Sequence, residues 1–506
     1  MPFRFLPRPR PATTMLTQPR SEPGLSLLDG LICLYLVLPL LVFCAWFKWP
    51  VALALALLTG YGFTQALAGA RWRRFEVSRR ALAVIVIVSL AWTALAGIGH
   101  FFFANADWIT RDAVLRDLVE TPWPPMYESD GGPALILRAP IGYYLPVAAA
   151  GSLLGLRCAD VLLYLWTAGG FALVLCAATT LFQTRRERIL ACALMLGFGG
   201  LDLVGVVATT GALPKLGQHI EWWASFVQYS SNSTLLFWVP NHALPAWLGL
   251  LMAMRHWRTP DLARLSLMLA AAITLWSPLS AVGLVPFYLV GLNWRRDIGA
   301  LFATRSGLPF LALAGLVGRY LTMDTQSIPR GWAIDMFAQA RVFWIYYTGF
   351  CLVEFGILAL LLARLRTFDP KVALAAAILL ILPFYHFGNG NDLVMRSSIP
   401  ALMVLALAAV RPLAHADRPL ARALLALVLV VGALGAAQEP ERALMTPRWA
   451  LTGKTLVQIS ADRSPFHLAL LPPNYVGHLN QPGLQALMRP PSMVLPYPDG
   501  SMRLHP

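Results

Sequence analysis

The amino-acid sequence predicts an all-α, polytopic membrane protein with about 13 transmembrane helices and a large first outside loop that contains interfacial helices. The 506-residue chain is 58% hydrophobic and only 13% charged, and its mean hydropathy is +0.61. These proportions are typical of a chain that crosses the membrane many times. The net charge of +15 would suggest nucleic-acid binding in a soluble chain, but here the basic residues stand in short blocks between apolar runs. That pattern orients membrane helices, so we expect no nucleic-acid partner.

Apolar runs close to the roughly 20 residues of a transmembrane helix recur along the chain. The single runs are 28–47, 51–69, 81–103, 161–182, 189–211, 235–254, 342–362, 372–387, 397–410 and 421–437. The run 265–292 is too long for one helix and is interrupted by Trp276, Ser277 and Pro278. Because proline ends a helix, we predict a hairpin of two short helices there. The short run 307–321 completes the predicted set.

Segment 140–156 decides the predicted topology. If it crossed the membrane, the basic block 185–188 would lie on the same side as the acidic loop that precedes the segment. A helix that lies in the membrane interface, with Tyr143 and Tyr144 at the level of the lipid headgroups, restores the positive-inside rule. The N-terminus is then expected in the cytoplasm and the C-terminus outside.

This topology divides the chain into three parts. Residues 1–27 are a basic cytoplasmic N-terminus, 28–437 are the transmembrane domain, and 438–506 are a proline-rich tail on the outside. Within the transmembrane domain, the outside loops 104–160 and 212–234 carry many of the unusual polar residues. The sequence shows no internal repeat, although repeats are typical of many secondary transporters.

Asp107 follows a charge-free apolar run and opens an acidic, amphipathic segment. A carboxylate at the end of a membrane span is costly unless water, a cation or a substrate needs it there. Asp107 could cap the helix that begins at this point, or act as a general base if it is partly desolvated, and the two roles are compatible. Asp112 on the same helix is the second catalytic candidate, although such helices often simply lie on the bilayer.

Two further outside segments carry candidate substrate-binding groups. Arg396 follows Asp392 by four residues. The two could form an ordinary helical ion pair, or Arg396 could present its planar fork to a phosphate at headgroup level. His242, beside Asn241 and after Pro240, is either a buried hydrogen-bonding histidine or a second phosphate contact.

The loop 212–234 adds an acid and aromatic rings. Glu221, Trp222 and Tyr229 are candidate substrate-binding residues, and the rings could stack on the face of a sugar. The alternative is that the rings only anchor the loop at the membrane interface.

Charged residues within predicted spans have structural or functional alternatives. Asp202 is expected to face a cavity or a partner, and Arg319 and Glu354 are expected to pair with each other. The six cysteines have no paired spacing, so neither a disulfide framework nor a zinc site is predicted. The sequence contains no Walker loop and no HExxH helix, which argues against ATP hydrolysis and zinc proteolysis, and no metal ligands are predicted.

The order of elements from about residue 81 to 292 forms a longer pattern. A basic inner block and a span lead to an Asp at the outer end, then to an amphipathic helix and to the segment Arg138-Ala-Pro-Ile-Gly-Tyr-Tyr-Leu-Pro146. This order resembles the GT-C superfamily of integral membrane glycosyltransferases, especially members related to protein mannosyltransferases and lipid A aminoarabinose transferases. The hairpin around Ser277 looks like the paired short helices of that fold. The segment 221–242 looks like a bacterial subgroup of GT-C-like proteins.

The resemblance implies a transferase in the bacterial plasma membrane, part of the cell envelope machinery. It would take a sugar from a polyprenyl-phosphate donor and pass it, with inversion, to a glycan, lipid or protein acceptor on the outer side. Asp107 would be the general base, and Arg396, His242 or Arg138 would hold the departing phosphate. Tyr143 and Tyr144 would belong to the substrate-binding loop. The need for a divalent metal stays open.

Two other functional classes also stay open. A transporter or flippase for a lipid-linked or polar substrate would likewise place charged residues beside a cavity. A non-catalytic subunit of polysaccharide assembly is the third possibility.

Overall fold

A computed structural model of the chain describes residues 24–68, 70, 72–128, 134–388, 390–463 and 471–495. Over these ranges the chain is mostly helical, as the sequence predicts, with a few short strands. Of the predicted basic N-terminus, residues 1–23 lie outside the described residues, and so do residues 496–506 of the tail.

The first half of the described chain contains ten helices. They are α1 (Leu27–Phe43), α2 (Trp49–Leu67), α3 (Arg79–Leu95), α4 (Asp107–Glu120), α5 (Leu145–Leu154), α6 (Leu156–Thr179), α7 (Arg185–Gly197), α8 (Asp202–Thr210), α9 (Asn232–Trp238) and α10 (Pro240–Arg255). Their starts follow local sequence signals. Ser26, Ser78 and Thr184 precede α1, α3 and α7, and each side chain accepts a hydrogen bond from a backbone N–H of the first turn.

The second half of the described chain contains thirteen helices. They are α11 (Pro260–Trp276), α12 (Pro278–Gly291), α13 (Trp294–Leu301), α14 (Gly307–Leu321), α15 (Ala340–Cys351), α16 (Ile357–Arg364), α17 (Pro370–Ile381), α18 (Asp392–Ser397), α19 (Ile399–His415), α20 (Pro419–Ala436), α21 (Gln438–Met445), α22 (Leu456–Arg463) and α23 (Pro482–Leu487). A π-helical turn, Leu352–Gly356, joins α15 to α16. Many of these helices begin with proline, which suits the first helical turn because no N–H is needed there.

Among the described residues, seven helical segments are long and apolar enough to cross a membrane. They are Leu27–Trp46, Trp49–Leu67, Leu156–Thr179, Arg185–Thr210, Ala340–Arg364, Asp392–His415 and Pro419–Met445. Each overlaps a run predicted from the sequence. Other predicted spans are shorter or broken: 81–103 becomes α3, which ends at Leu95, and 235–254 is divided at Val239. The count of 13 spans therefore stays a prediction.

The helix break predicted within 265–292 is confirmed. Ser277 is extended between α11 and α12, and its Oγ accepts a hydrogen bond from the backbone N–H of Ser280 at 3.3 Å. The indole of Trp276 donates to the carbonyl of Leu36 at 3.0 Å, which fixes the end of α11 against α1. These two hydrogen bonds fix the position of Ser277 between the helices.

Segment 140–156 contains α5, whose ten residues are too few to cross a membrane. Gly155, with a φ of +86°, separates α5 from α6. Tyr143 and Tyr144, expected at headgroup level, are instead buried within the protein. The hydroxyl of Tyr143 has a partner there, because it lies 2.6 Å from Oγ1 of Thr167 on α6. The interfacial position of α5 itself stays a prediction.

Short strands add two small sheets to the predicted all-α fold. In chain order they are β1 (Pro125–Tyr127), β2 (Leu135–Leu137), β3 (Arg330–Trp332), β4 (Tyr385–Phe387), β5 (Val476–His478) and β6 (Ser492–Met493). One sheet has the order β5-β2-β1-β6, and the other pairs β3 with β4. In the larger sheet β2 and β5 are antiparallel, with Ile136 opposite Gly477. The described part of the tail therefore folds back onto the first outside loop.

The predicted pairing of Arg319 with Glu354 is wrong. Arg319 is exposed near the end of α14. Glu354 is buried in the π-helical turn, where Oε1 accepts a hydrogen bond from the indole of Trp223 at 2.7 Å. An indole from the 212–234 loop thus takes the position expected for the guanidinium. Asp202 is buried, as expected for a carboxylate within a span, and Glu354 is its neighbour.

Candidate functional site

A cavity of about 730 Å³ lies between the first outside loop, the 212–242 segment, α18 and the C-terminal tail. It is lined by eight of the residues that the sequence singles out as site candidates: Asp107, Arg138, Tyr144, Trp222, Asn241, His242, Asp392 and Arg396. They come from elements far apart in the chain, so the fold brings them together. The other candidates, Asp112, Tyr143, Glu221 and Tyr229, lie outside the lining described for this cavity.

Asp107 is the first residue of α4, and its side chain is 45% exposed. Its backbone N–H donates to Oδ1 of Asn105 at 3.0 Å, while the Asn105 amide donates to the carbonyl of Phe237 at 2.8 Å. The indole of Trp108 donates to the same carbonyl at 2.9 Å. The start of α4 is therefore tied to α9. The residue in the capping position is Ala106, so the carboxylate of Asp107 does not cap the helix.

Arg111, one turn after Asp107, was not among the candidates from the sequence. Its Nη1 donates to Oδ1 of Asn241 at 2.8 Å and to the hydroxyl of Tyr144 at 3.4 Å, and its Nη2 lies 3.5 Å from Oδ2 of Asp107. The guanidinium also lies 5.9 Å from the ring centre of Trp108. Its buried Nε has no hydrogen-bond partner among the described residues. The spacing of four residues from Asp107 was the signal that could have identified it.

Asp392 and Arg396 lie on α18, at another wall of the cavity. Their closest contact, from Arg396 Nη2 to Asp392 Oδ1, is 3.4 Å, so the ion pair is present but long. The Nε of Arg396 is buried without a hydrogen-bond partner among the described residues. An arginine that keeps a buried donor free can still bind an anion. Both interpretations of this pair therefore remain compatible with the geometry.

Tyr475, from the C-terminal tail, lies where these charges meet. Burial raises the pKa of its hydroxyl, and Arg111 and Arg396 oppose that rise whereas Asp107 and Asp392 add to it. Tyr475 and these four charged residues line the same cavity. Nothing in the sequence of the proline-rich tail indicated that Tyr475 would line the cavity.

His242 has partners on both sides of its ring. Nε2 lies 3.2 Å from the amide nitrogen of Asn241, and Nδ1 lies 2.7 Å from Oγ of Ser277. Because Arg111 donates to Oδ1 of Asn241, the Asn241 nitrogen is a donor, and Nε2 must accept from it. The proton is then assigned to Nδ1, which makes the imidazole neutral. The chain Arg111, Asn241, His242 and Ser277 is thus a continuous hydrogen-bond relay.

Arg138 has a mainly structural set of contacts. Its guanidinium donates to the carbonyls of Leu321, at 3.0 Å, and of Val476, at 3.4 Å, and to that of Pro473. These bonds hold the tail against the first loop and α14. The Nε of Arg138 has no hydrogen-bond partner among the described residues, so this donor stays free for the expected role as a phosphate ligand.

The loop 212–234 divides its candidates between the cavity and the interior. Trp222 is 38% exposed and lines the cavity. Glu221 is buried and accepts from Thr234 Oγ1 at 2.6 Å and from Ser231 N at 3.0 Å, so it shapes the loop. Tyr229 is buried too, and its hydroxyl donates to the carbonyl of Leu379.

Asp112 belongs to a separate buried cluster with His100 and Asp160. Both ring nitrogens of His100 are occupied, Nε2 by Asp112 and Nδ1 by Asp160, each at 3.1 Å. Although burial by itself lowers the pKa of His100, the hydrogen bonds to the two carboxylates raise it to about 9. Burial raises the pKa of Asp112 to about 6, and His100 opposes that rise. The arrangement gives Asp112 a structural role in joining α4 to α6.

Metal ligands are sparse in the described part of the chain. Within it, no group of three or more His, Cys, Asp and Glu side chains has a geometry that could hold a metal ion.

Comparison with known proteins adds no assignment. No protein-family model matches the chain, and neither the curated proteins nor the solved structures gave a significant match. The GT-C resemblance therefore rests on the residue pattern alone.

Proposed function

We propose that this protein is a membrane glycosyltransferase of GT-C type. It transfers a sugar from a polyprenyl-phosphate donor to a glycan, lipid or protein acceptor on the extracytoplasmic face, with inversion at the anomeric carbon. The observation that carries the proposal is the shared cavity of Asp107, Arg111 and Arg396. A carboxylate that accepts a proton and two cations that bind a leaving phosphate are the groups such a transfer needs.

Asp107 is the general base of the proposed reaction. The acceptor hydroxyl gives its proton to the carboxylate as its oxygen attacks the anomeric carbon. The bond between that carbon and the lipid phosphate oxygen breaks, and the oxygen keeps the electron pair. Asp107 suits this role because its side chain lines the cavity and is 45% exposed, so that an acceptor hydroxyl can reach the carboxylate.

Arg111 and Arg396 are the proposed phosphate ligands. Each has one long contact with its own carboxylate and one buried Nε without a partner among the described residues. A phosphate between them would satisfy both free donors and replace water that a buried charge otherwise requires. His242, neutral and engaged at both nitrogens, then acts by orienting Asn241 and, through it, Arg111.

Another part of the cavity wall suits a sugar. Trp222 and Trp238 supply aromatic surface, and Gln228, Ser230 and Thr234 supply amide and hydroxyl groups. The indole of Trp238 is fixed by a 2.7 Å hydrogen bond to Glu439 Oε2. Aromatic faces and fixed polar groups together bind small polar ligands.

The proposed function is tested by replacing Asp107 with Asn in the full-length protein. In membranes supplied with a lipid-linked sugar, the rate of sugar transfer by this variant should be lower than that of the wild type by about 100-fold or more, because the amide cannot accept the proton. Asp335→Asn is the matched control, since that carboxylate is exposed on the loop before α15. Undiminished transfer by Asp107→Asn at normal protein level would rule out the base assignment.

A transporter or flippase is the second candidate, favoured by one observation. Asp202 and Glu354 are buried carboxylates within membrane-spanning segments, and one oxygen of each has no hydrogen-bond partner among the described residues. Such groups often mark proton or ion pathways. Movement of a lipid-linked sugar across proteoliposomes without any glycosyl product would favour this candidate over the transferase.

A further inference from the structure

The C-terminal tail forms one wall of the cavity. Pro472, Asn474 and Tyr475 line it, and the backbone around Tyr475 is held firmly. The carbonyl of Tyr475 accepts hydrogen bonds from the backbone N–H of Arg138 at 2.7 Å and from that of Ala139 at 2.9 Å. The strand β5 continues directly from it and pairs with β2. The position of Tyr475 is therefore set by the backbone and does not depend on its hydroxyl.

Tyr475 lines the same cavity as the charged side chains of Asp107, Arg111, Asp392 and Arg396. It interacts electrostatically with the two arginines and the two aspartates described above. Its hydroxyl nevertheless makes no hydrogen bond within the described part of the chain, whereas the hydroxyls of Tyr127 and Tyr143 lie 3.0 and 2.6 Å from a partner. Tyr475 is only half-buried, and its hydroxyl is not among the buried polar atoms that lack a partner, so it is accessible from the cavity. The missing partner of Tyr475 is best supplied by a ligand in the cavity.

We propose that Tyr475 is a substrate-binding residue whose hydroxyl donates a hydrogen bond to the anionic group held by Arg111 and Arg396. This inference rests on the proposed function, because the anion is taken to be the phosphate of the lipid donor. The C-terminal tail then contributes a substrate-binding residue to the site. Its folding back onto the first outside loop completes the phosphate-binding surface.

A neutral donor has a physical advantage in this position. Arg111 and Arg396 are each partly compensated by an aspartate, so a third cation would add to the charge that must be desolvated. A phenol adds a hydrogen bond to the anion without adding charge. Because its pKa lies above the usual range, Tyr475 keeps its proton at neutral pH and stays a donor.

Direct binding to the purified full-length protein in lipid nanodiscs tests the proposal. The probes are a polyprenyl phosphate and the corresponding polyprenol, which lacks the phosphate. We expect Tyr475→Phe to weaken binding of the polyprenyl phosphate by about tenfold and to leave binding of the polyprenol unchanged, since only one hydrogen bond to a charged group is lost. The matched control is Tyr164→Phe, whose hydroxyl donates to the carbonyl of Leu90 away from the cavity.

The outcomes separate the two proposals. If the wild-type protein binds both lipids equally, the proposed function fails, and the role of Tyr475 fails with it. If the wild type prefers the phosphate and Tyr475→Phe keeps the full preference, the role of Tyr475 alone is wrong. Each binding measurement is paired with a thermal unfolding midpoint. A midpoint that falls for Tyr475→Phe but not for Tyr164→Phe would show a structural role for the hydroxyl and would also overturn the proposal.

Discussion

Arg111 donates a hydrogen bond of 2.8 Å to the side-chain oxygen of Asn241, which lies 130 positions later in the chain. This bond fixes which end of the Asn241 amide faces His242, and so it assigns the proton of the imidazole to Nδ1. A residue on α4 thus controls the hydrogen bonding at the start of α10. The arrangement identifies Arg111 as the centre of the site's polar network, and several expected outcomes follow from it and from its neighbours.

Arg111→Gln should reduce the proposed glycosyl transfer by about 100-fold. The variant loses the cation and the free Nε donor, and charged hydrogen bonds of this kind contribute about 1.5–3 kcal/mol each. The measurement is the rate of transfer in membranes, with protein level checked in parallel. Arg319→Gln is the control, because that guanidinium is exposed on α14. Equal transfer rates for the two variants would show that Arg111 has no role in the proposed reaction.

The His100 cluster should make stability depend on pH in the alkaline range. The pKa of His100 is raised from 6.5 to about 9 by Asp112 and Asp160 in the folded protein. The stability that protonated His100 contributes is therefore present at pH 6.5 and is lost as the pH rises to about 9.

We expect the thermal unfolding midpoint of the wild-type protein to decrease as the pH is raised from 6.5 to about 9. His100→Gln cannot titrate, so its midpoint should change less over the same range. Titration of Asp112 does not contribute to the difference between the two proteins in this pH range, because the pKa of Asp112, about 6, lies below it. Parallel pH profiles for the two proteins would contradict the assignment.

Asp117→Ala should loosen the tail and lower the free energy of unfolding by about 3 kcal/mol, because it leaves the buried hydroxyl of Tyr127 and the buried N–H of Leu456 without an acceptor. Arg116 keeps its second carboxylate, Glu120, at 2.9 Å. Asp117 is fully buried and accepts from Tyr127 Oη at 3.0 Å, from Leu456 N at 3.1 Å and from Arg116 Nη1 at 3.2 Å. The readout is hydrogen exchange at α22, which begins at Leu456. Asp462→Ala, which removes an exposed carboxylate from the same helix, is the control and should leave exchange at α22 slow.

Gly283→Ala should destabilise the protein, whereas Gly315→Ala should not. A methyl group at Gly283 would collide with the carbonyl oxygen of Ser397 at the end of α18, so α12 and α18 would have to separate. No atom lies within 4 Å of the corresponding position at Gly315, where alanine favours the helix by about 1 kcal/mol. Thermal unfolding compares the two directly. A stable Gly283→Ala protein would mean that the α12–α18 contact is loose, and with it the position of Arg396.

Much of the helical framework could be predicted from the sequence. Runs of apolar residues predicted every one of the seven helical segments that are long and apolar enough to cross a membrane, and Ser277 with Pro278 marked the break between α11 and α12. Both signals are local, because helix length and helix capping depend on neighbouring residues. The small sheet that joins the tail to the first loop was missed, since its strands are only two or three residues long and the strands of the tail pair with those of the loop across more than 300 positions.

The candidate site was predicted in part. Asp107, Asp392 and Arg396 were identified by charge at the ends of apolar runs, and the cavity brings all three together. Asp112, Glu221 and Tyr229 carry equally suggestive side chains, but the fold gives them protein partners outside the cavity lining. Residue type alone cannot distinguish these cases, because a buried carboxylate satisfied by the protein and one that awaits a ligand look the same in a sequence.

The sequence by itself determined the helical membrane class of this protein and the approximate position of its main spans, because apolar length and charge distribution act locally against the bilayer. Only the tertiary structure decided that Arg111 joins Asp107 in the cavity, that His242 is neutral, and that Tyr475 reaches the site from the tail. The physical reason is that hydrogen bonding and burial in this cavity depend on contacts between distant segments, such as Tyr475 and Arg138. Such contacts are set by packing and leave no periodic signal in the chain.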